Sequence, residues 1–441
     1  MNDTDRGQQK HILRALFHFT IEQIDLASTL DRTWRGLDRD IRQLISKGGD
    51  GGGSLYVVSF GKAAVPMTTW LLDNTDREDV RGVLSAPSVP GRKWRGLACF
   101  TGAHPVPNQA SLDAARAALD LVRGATENDV VVYLISGGGS SLFELPVGDR
   151  NSLLDIAALY GTLVRCGADI VEINTVRKHL SAVKGGRLAQ AAAPARQITF
   201  YVSDVPPGRE DSIASGPTMP DSSTLADLSR IVETYELRKS ASHSIGSLLR
   251  PDSPLPETPK AGDTSFERST WVSVLDNNDA IRAACRFAEN EGWRVVADAS
   301  VDDVDVATAV DQMLARLESF KTTAPDNQPV CIVSGGELSV PVLGNGIGGR
   351  NQTFVLECVP RIAGRRIAVL SAGTDGIDGN SPAAGALADG RTMERAQSFG
   401  LDPADFLERS DAYTFFETLG DVITCGPTQN NVRDIRVLVA W

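Results

Sequence analysis

Residues 129–145 read DVVVYLISGGGSSLFEL. The unbroken apolar, largely β-branched run from Val130 to Ile135 predicts a strand buried on both faces, because a strand with one solvated face would alternate apolar and polar residues. It breaks into Ser136, Gly137, Gly138, Gly139, Ser140 and Ser141. In such a turn several backbone N–H groups can face one anion, and a helix starting near Ser140 or Ser141 would add its positive end. A small polar turn without a ligand is the other reading of the same residues.

The device recurs. The runs Tyr56–Phe60, Gly82–Ala86, Ile198–Asp204, Val330–Gly335 and Ile367–Gly373 are short and apolar, and carry Ser59, Ser85, Ser203, Ser334 and Ser371 near their ends. Strands of this kind separated by helical stretches predict an α/β fold with an open, doubly wound parallel sheet. Ligands of such sheets sit beyond the carboxyl ends of the strands, so these small polar strand ends read as the lining of a large site.

A chain of 441 residues with 42% hydrophobic content exceeds what one core usually serves, which predicts two domains. Apolar periodicity fades from Leu237 to Ser269 around RPDSPLPETPKAGD, so the division is placed at 1–250 and 251–441. The second domain would then open with the strand Trp271–Leu275. With 44 basic against 56 acidic side chains the net charge is −12, which argues against nucleic acid and anionic membranes as partners. Six scattered cysteines without metal-ligand spacing read as reduced and buried, and from the polar start MNDTDRGQQK no signal peptide is expected. A cytoplasmic protein acting on small molecules is expected; a homodimer is left open.

Several positions invite chemistry. Residues 8–46 keep helical spacing and read as one or two packing helices. Lys62, in GKAA after the strand ending at Phe60, stands where a point charge can hold a phosphate, or simply meets solvent; no Walker A spacing is present. His104 lies in the loop AHPVPNQAS, either shaping the turn or taking part in catalysis, and Asn108 or Ser111 is a helix cap. Arg177, Lys178, His179, Lys184 and Arg187 concentrate before and after a KGG break that would present them to an anion. Asp204 ends another strand. Gly344, Gly346 and Gly349 spell GxGxxG, but Pro341 in the preceding LSVPVL suits a hairpin, SGGELSVPVLG, better than the buried strand a dinucleotide fingerprint needs. That loop would deliver Arg350 and Asn351 at a helix start. Asp375 and Asp378 lie in a glycine-bounded loop where metal ligation and capping are both open.

Taken together, SFGKAA (59–64), HPVPNQAS (104–111), SGGGSS (136–141), NTVRKHLSAVKGGRLA (174–189), SDV and IASGPT (203–218), ETPKAGD (257–263), SGGE and GNGIGGRNQ (334–352) and SAGTDGIDG with AAGA (371–386) resemble the glycerate 2-kinase family over nearly the whole chain. The resemblance implies an N-terminal Rossmann-like domain, a C-terminal α/β domain with the MOFRL region at about 328–437, and an active site in the cleft between them. It implies transfer of the γ-phosphate of ATP, with Mg²⁺, to the 2-hydroxyl of D-glycerate. The family's active-site lysine and arginine fall on Lys62 and Arg350. By position, Asp204 joins them as a catalytic candidate; Ser136, Gly137, Gly138, Gly139, Ser140, Lys184 and Gly185 are candidates for phosphate; Ser59, His104, Arg177 and Asn351 for the acceptor; and Asp375, Asp378 and Glu337 for Mg²⁺. Related sugar acids as acceptors, and an NAD(P)H-dependent hydroxypyruvate reductase, are the competing readings.

The chain departs from the family's usual pattern at Asn108, where an acid is usual, at the PPGRED insert after SDV, at Thr353, at Pro382, and at GPTQNNVRD (426–434). These changes fall on loops that would shape the acceptor pocket.

Overall fold

A computed structural model describes residues 4–48, 52–91, 94–148, 153–325, 328–428 and 430–441. The chain forms two units: 27–274, and 1–26 together with 275–441.

In the first unit the strands are β1 (Leu55–Phe60), β2 (Val80–Ala86), β3 (Leu97–Thr101), β4 (Val130–Ile135), β5 (Arg196–Val202) and β6 (Ser269–Leu275), in the order β3-β2-β1-β4-β5-β6. The β1–β2, β1–β4, β2–β3 and β4–β5 pairs are parallel. Every residue of β1 and β4 is buried, as their uninterrupted apolar runs require. Alternate side chains serve two cores: Tyr56, Val58, Val131 and Tyr133 pack with Ala114, Ala118 and Leu188, while Leu84 and Ala86 join Ala64 and Trp94 on the other face. Phe60 stacks on Phe143 with ring centroids 4.2 Å apart, fastening the end of β1 to the segment after the glycine turn. This strand order places the topological switch between β1 and β4, where the two halves of the sheet diverge.

The division at 250/251 differs from the observed one. The proline-rich stretch is fastened to the first unit, with Thr258 Oγ1 donating to Asp221 (2.8 Å), His179 Nε2 3.1 Å from Glu257 and Arg187 donating to Pro256 O (2.7 Å). Beyond it β6 lies beside β5, so the strand expected to open the second domain completes the first sheet.

The second unit contains β7 (Arg294–Asp298), β8 (Val330–Ser334), β9 (Ile367–Gly373), β10 (Gly385–Asp389), β11 (Val422–Ile423) and β12 (Asp434–Ala440), ordered β11-β10-β9-β12-β8-β7. Only β7–β8 is a parallel pair; β12 runs antiparallel between β8 and β9, and β10 antiparallel to β9. The serine-ended runs therefore belong to two sheets, and the second is mixed rather than parallel. Its core combines Leu356 and Phe354 of the Arg350–Ile362 helix with Met313 and Leu317 of the Val306–Thr322 helix.

Residues 8–46 form parts of three helices, Thr4–Gln23, Leu26–Gly36 and Arg39–Ser46. The first belongs to the second unit, where Lys10 pairs with Asp421 (2.6 Å) and Phe19 packs on Phe287. The expected hairpin at SGGELSVPVLG does not form: after β8 the chain is a loop touching Asp305 through one parallel bridge at Ser339. All six cysteines are unpaired, and Cys99, Cys166 and Cys425 are exposed rather than buried. Among the described residues no helix is long and apolar enough to cross a membrane.

Candidate active site

At the β1/β4 switch the chain makes two facing turns. Lys62 N–H donates to Gly137 O (2.9 Å), and Ala63 N–H donates to Ser136 Oγ (2.9 Å), so Ser136 ties the turns together rather than facing a ligand. Ser59 is likewise structural: it is fully buried and donates to Ala64 O (3.1 Å). The N–H groups of Gly137 and Gly138 have no acceptor among the described residues. Only glycine fits either position. A Cβ on Gly137 would stand 2.4 Å from Asp204 Oδ2, and Gly138, at φ +76°, lies against the Lys62 stem and the His104 ring. Gly139 starts the short Gly139–Leu142 helix and packs under Ala214 and Phe60.

Around these turns lie exposed Lys62, exposed His104 and half-buried Arg177 and Asp204. The Arg177 guanidinium stands 5.0 Å from the centre of the Tyr160 ring, which holds it by cation–π attraction. His104 Nδ1 lies 2.9 Å from Ser141 Oγ. Partial burial, with the positive charges of Lys62 and Arg177, holds the imidazole below its ordinary range. Two cations and two unsatisfied N–H groups at a switch point make a receptor for an anion the size of a phosphate or carboxylate.

The other bases of 174–189 do not face this space. Lys178 pairs with Asp211 and Asp221, and Arg187 spends its guanidinium on backbone carbonyls. Lys184 is 1% exposed, donates to Ser140 O (2.7 Å) and is paired with Glu144, whose other bonds come from Leu145 N–H and Tyr160 Oη. Burial pulls the Lys184 ammonium down, against the pull of Glu144. Gly185 N–H is taken by Ser215 O, and Ser140 Oγ lies 2.9 Å from Ser215 Oγ. Lys184, Gly185 and Ser140 thus build the floor of the turn. Ser215 itself stands at φ +62°, a left-handed conformation costly for serine, held by Ser140 and Asn174.

In the second unit Arg350 opens its helix and faces the start of β12. It donates to Asp434 through Nε (2.6 Å) and Nη2 (3.1 Å), and Nη2 also pairs with Glu337 (2.8 Å). Burial opposes its charge, but Asp434 and Glu337 more than offset this and raise its pKa. Asp302 accepts both Arg433 amino groups (2.6 and 2.7 Å) and the Glu337 N–H (3.0 Å). Arg436 is fully buried on β12 and donates to Gly336 O and Val301 O; burial brings its pKa down to about 10.

The carboxylates expected to hold Mg²⁺ are otherwise engaged. Asp378 is 2% exposed and caps the Arg350 helix from a distant loop, accepting the N–H groups of Asn351 (3.1 Å) and Gln352 (2.8 Å). Burial is the main cause that pushes it up to about 6. Glu337 is paired to Arg350, and Asp375 accepts Ile377 N–H within its own loop. Among the described residues no three metal-ligating side chains converge. These residues therefore do not fit a resident metal. Asn351 also turns inward, bonding Asp378 and Ser371, and is not placed to meet an acceptor. The sequence reading missed Glu144, Asp434, Asp302 and Arg433. Glu144 and Asp434 lie inside quoted motifs, but nothing local tells a buried counter-charge from a surface acid.

Two family profiles match the chain: "Domain of unknown function (DUF4147)" over residues 12–250 and the MOFRL family over residues 330–434. A D-glycerate 2-kinase of Thermotoga maritima is 38% identical over 339 residues, 76% of this chain and 78% of that one. A glycerate 2-kinase of Pyrococcus horikoshii is 32% identical over 397 residues, 88% and 87% of the two chains. The crystal structure of a Thermotoga maritima glycerate kinase superposes with a TM-score of 0.83 at 32% identity, covering 99% of this chain and all of that one. The anion-receiving turns thus sit in a chain that shares sequence and fold with these enzymes along nearly its full length, and the chain belongs to the DUF4147–MOFRL family of glycerate kinases.

Proposed function

We propose that this protein is a kinase that transfers the γ-phosphoryl group of MgATP to the 2-hydroxyl of D-glycerate, giving ADP and 2-phosphoglycerate. The observation that carries the reading is the cluster of Lys62, Arg177 and the N–H groups of Gly137 and Gly138, which meet no acceptor among the described residues, at the β1/β4 switch, in a chain whose relatives include glycerate kinases. Phosphoryl transfer asks a protein mainly for positioning and for charge stabilisation, and this cluster supplies both without a covalent intermediate.

Lys62 is proposed to neutralise charge on the transferring group, as a flexible point charge leaving a strand end. Arg177, fixed on Tyr160, suits the planar carboxylate of the acceptor. Arg350 is proposed as a second catalytic cation, aligned by Asp434 and Glu337. Magnesium enters as the nucleotide complex, consistent with its habit of keeping phosphate oxygens and waters as ligands.

A nicotinamide-dependent reductase lacks support in the fold. Gly344, Gly346 and Gly349 follow a loop rather than a buried strand, so GxGxxG here is not a dinucleotide turn. The test is ADP release from MgATP and D-glycerate by the wild type beside Lys62→Ala and Arg350→Ala. Turnover lowered by a factor of about 10² or more supports the assigned roles; ordinary turnover in either variant removes that residue from the mechanism.

A further inference from the structure

The His104 ring has one nitrogen committed and one open. Ser141 has a single hydroxyl proton, and Gly138 O, which can only accept, lies 3.1 Å from its Oγ. With that proton given to Gly138 O, Ser141 Oγ accepts at its 2.9 Å contact with His104 Nδ1, an arrangement that assigns the imidazole proton to Nδ1. The Nε2 lone pair is left without a donor among the described residues, on an exposed ring beside Lys62 and Arg177. Three elements border the ring: the β1 turn with Lys62, the glycine turn with no titratable group, and the Ile170–Leu180 helix with Arg177. Of the charged groups at these turns, Lys62 and Arg177 act on the ring and as cations favour its neutral, proton-accepting form, while the Asp204 carboxylate lies against Gly137.

We propose that His104 Nε2 is the general base that takes the proton of the acceptor hydroxyl. This rests on the kinase reading above. As the hydroxyl oxygen bonds to the γ-phosphorus, its proton passes to Nε2. The bond from phosphorus to the β,γ-bridging oxygen breaks, and ADP leaves with that electron pair. The imidazolium keeps its Nδ1–H on Ser141 and returns the Nε2 proton to water after product leaves. Ser141 is a positioning residue that fixes the tautomer.

Two measurements test this. In ¹⁵N-labelled protein, imidazole NMR should show His104 protonated on Nδ1 when neutral, whether or not glycerate is turned over; an Nε2–H tautomer overturns the proposal. In kinetics, His104→Asn, which keeps a donor for Ser141, should lose about 10²-fold in kcat with the KM for D-glycerate nearly unchanged, and should lose the acid limb of the wild-type pH profile. A variant that keeps both kcat and the limb, or raises KM alone, shows that His104 only binds the acceptor and overturns the assignment. No wild-type turnover with any small hydroxy acid would instead overturn the kinase reading, and with it the proton for His104 to take.

Discussion

Replacing Lys184 by methionine decides whether this residue touches phosphate or holds the fold. Its ammonium is 1% exposed and its partner Glu144 is fully buried. Methionine keeps most of the apolar stem but removes the charge, the bond to Ser140 O and the counter-ion of Glu144. Breaking a buried pair from one side costs about 3–5 kcal/mol, because the remaining charge is uncompensated. Leu145 N–H and Tyr160 Oη still serve Glu144, which places the expected loss near the lower end, about 3 kcal/mol. Against a usual margin on the order of 5–15 kcal/mol this is large. Urea unfolding of Lys184→Met, Glu144→Gln and the double variant should show two costly single changes and a double change well short of their sum. Wild-type unfolding combined with a tenfold higher KM for ATP would refute this reasoning and return Lys184 to the phosphate.

Two further outcomes follow from the second unit. Asp434→Asn removes the charge opposite Arg350 and weakens its two-point hold, leaving Glu337 as its anionic partner, so kcat should fall at least tenfold while the fold persists by circular dichroism; unchanged kcat would mean Asp434 does not align Arg350. Asp378 carries a folded pKa raised from 3.8 to about 6, so the folded state holds its proton over a range where the unfolded chain has lost it. Its contribution to stability is therefore fullest below about 4 and is lost as pH rises through about 6, and substitution by Asn should flatten that part of the stability profile; a profile that keeps its slope in the variant would assign the titration elsewhere.

The first sheet was legible because its strands are continuous apolar runs alternating with helical stretches, and the 129–145 segment announces a buried strand with a ligand-sized turn. The second sheet was not. Its central strand β12 comes from the end of the chain, contains Arg433 and Arg436 beside or within it, and inserts between two strands that look parallel-ready on their own. Proline content misplaced the boundary because prolines can fasten a segment as well as free it: Glu257, Thr258 and Lys260 all bond back to the first unit.

The site divides in the same way. Lys62 and Asp204 lie at the glycine turn as their strand-end positions suggest, His104 joins them from its loop, and of the charge-rich 174–189 segment Arg177 faces the turn while the rest is mostly internal pairing. A run of bases does not reveal that acids from distant segments meet it. Departures from the family pattern read differently in the structure. Asn108 caps the Gln109–Val122 helix by accepting Ser111 N–H, a task for which Asn and Asp are equivalent. Thr353 bonds back to Gly349 O, and Arg433 finds Asp302. At these three positions the change is met by local structure and gives no ground for a different acceptor.

The central claim is tested most directly by following ADP release from MgATP with D-glycerate beside L-glycerate, tartronate and four-carbon sugar acids, and assigning the product's phosphate by phosphorus NMR. The account predicts release with D-glycerate and a phosphate on the 2-oxygen. No ADP release with any of these acids, or a phosphate on the 3-oxygen, would contradict it.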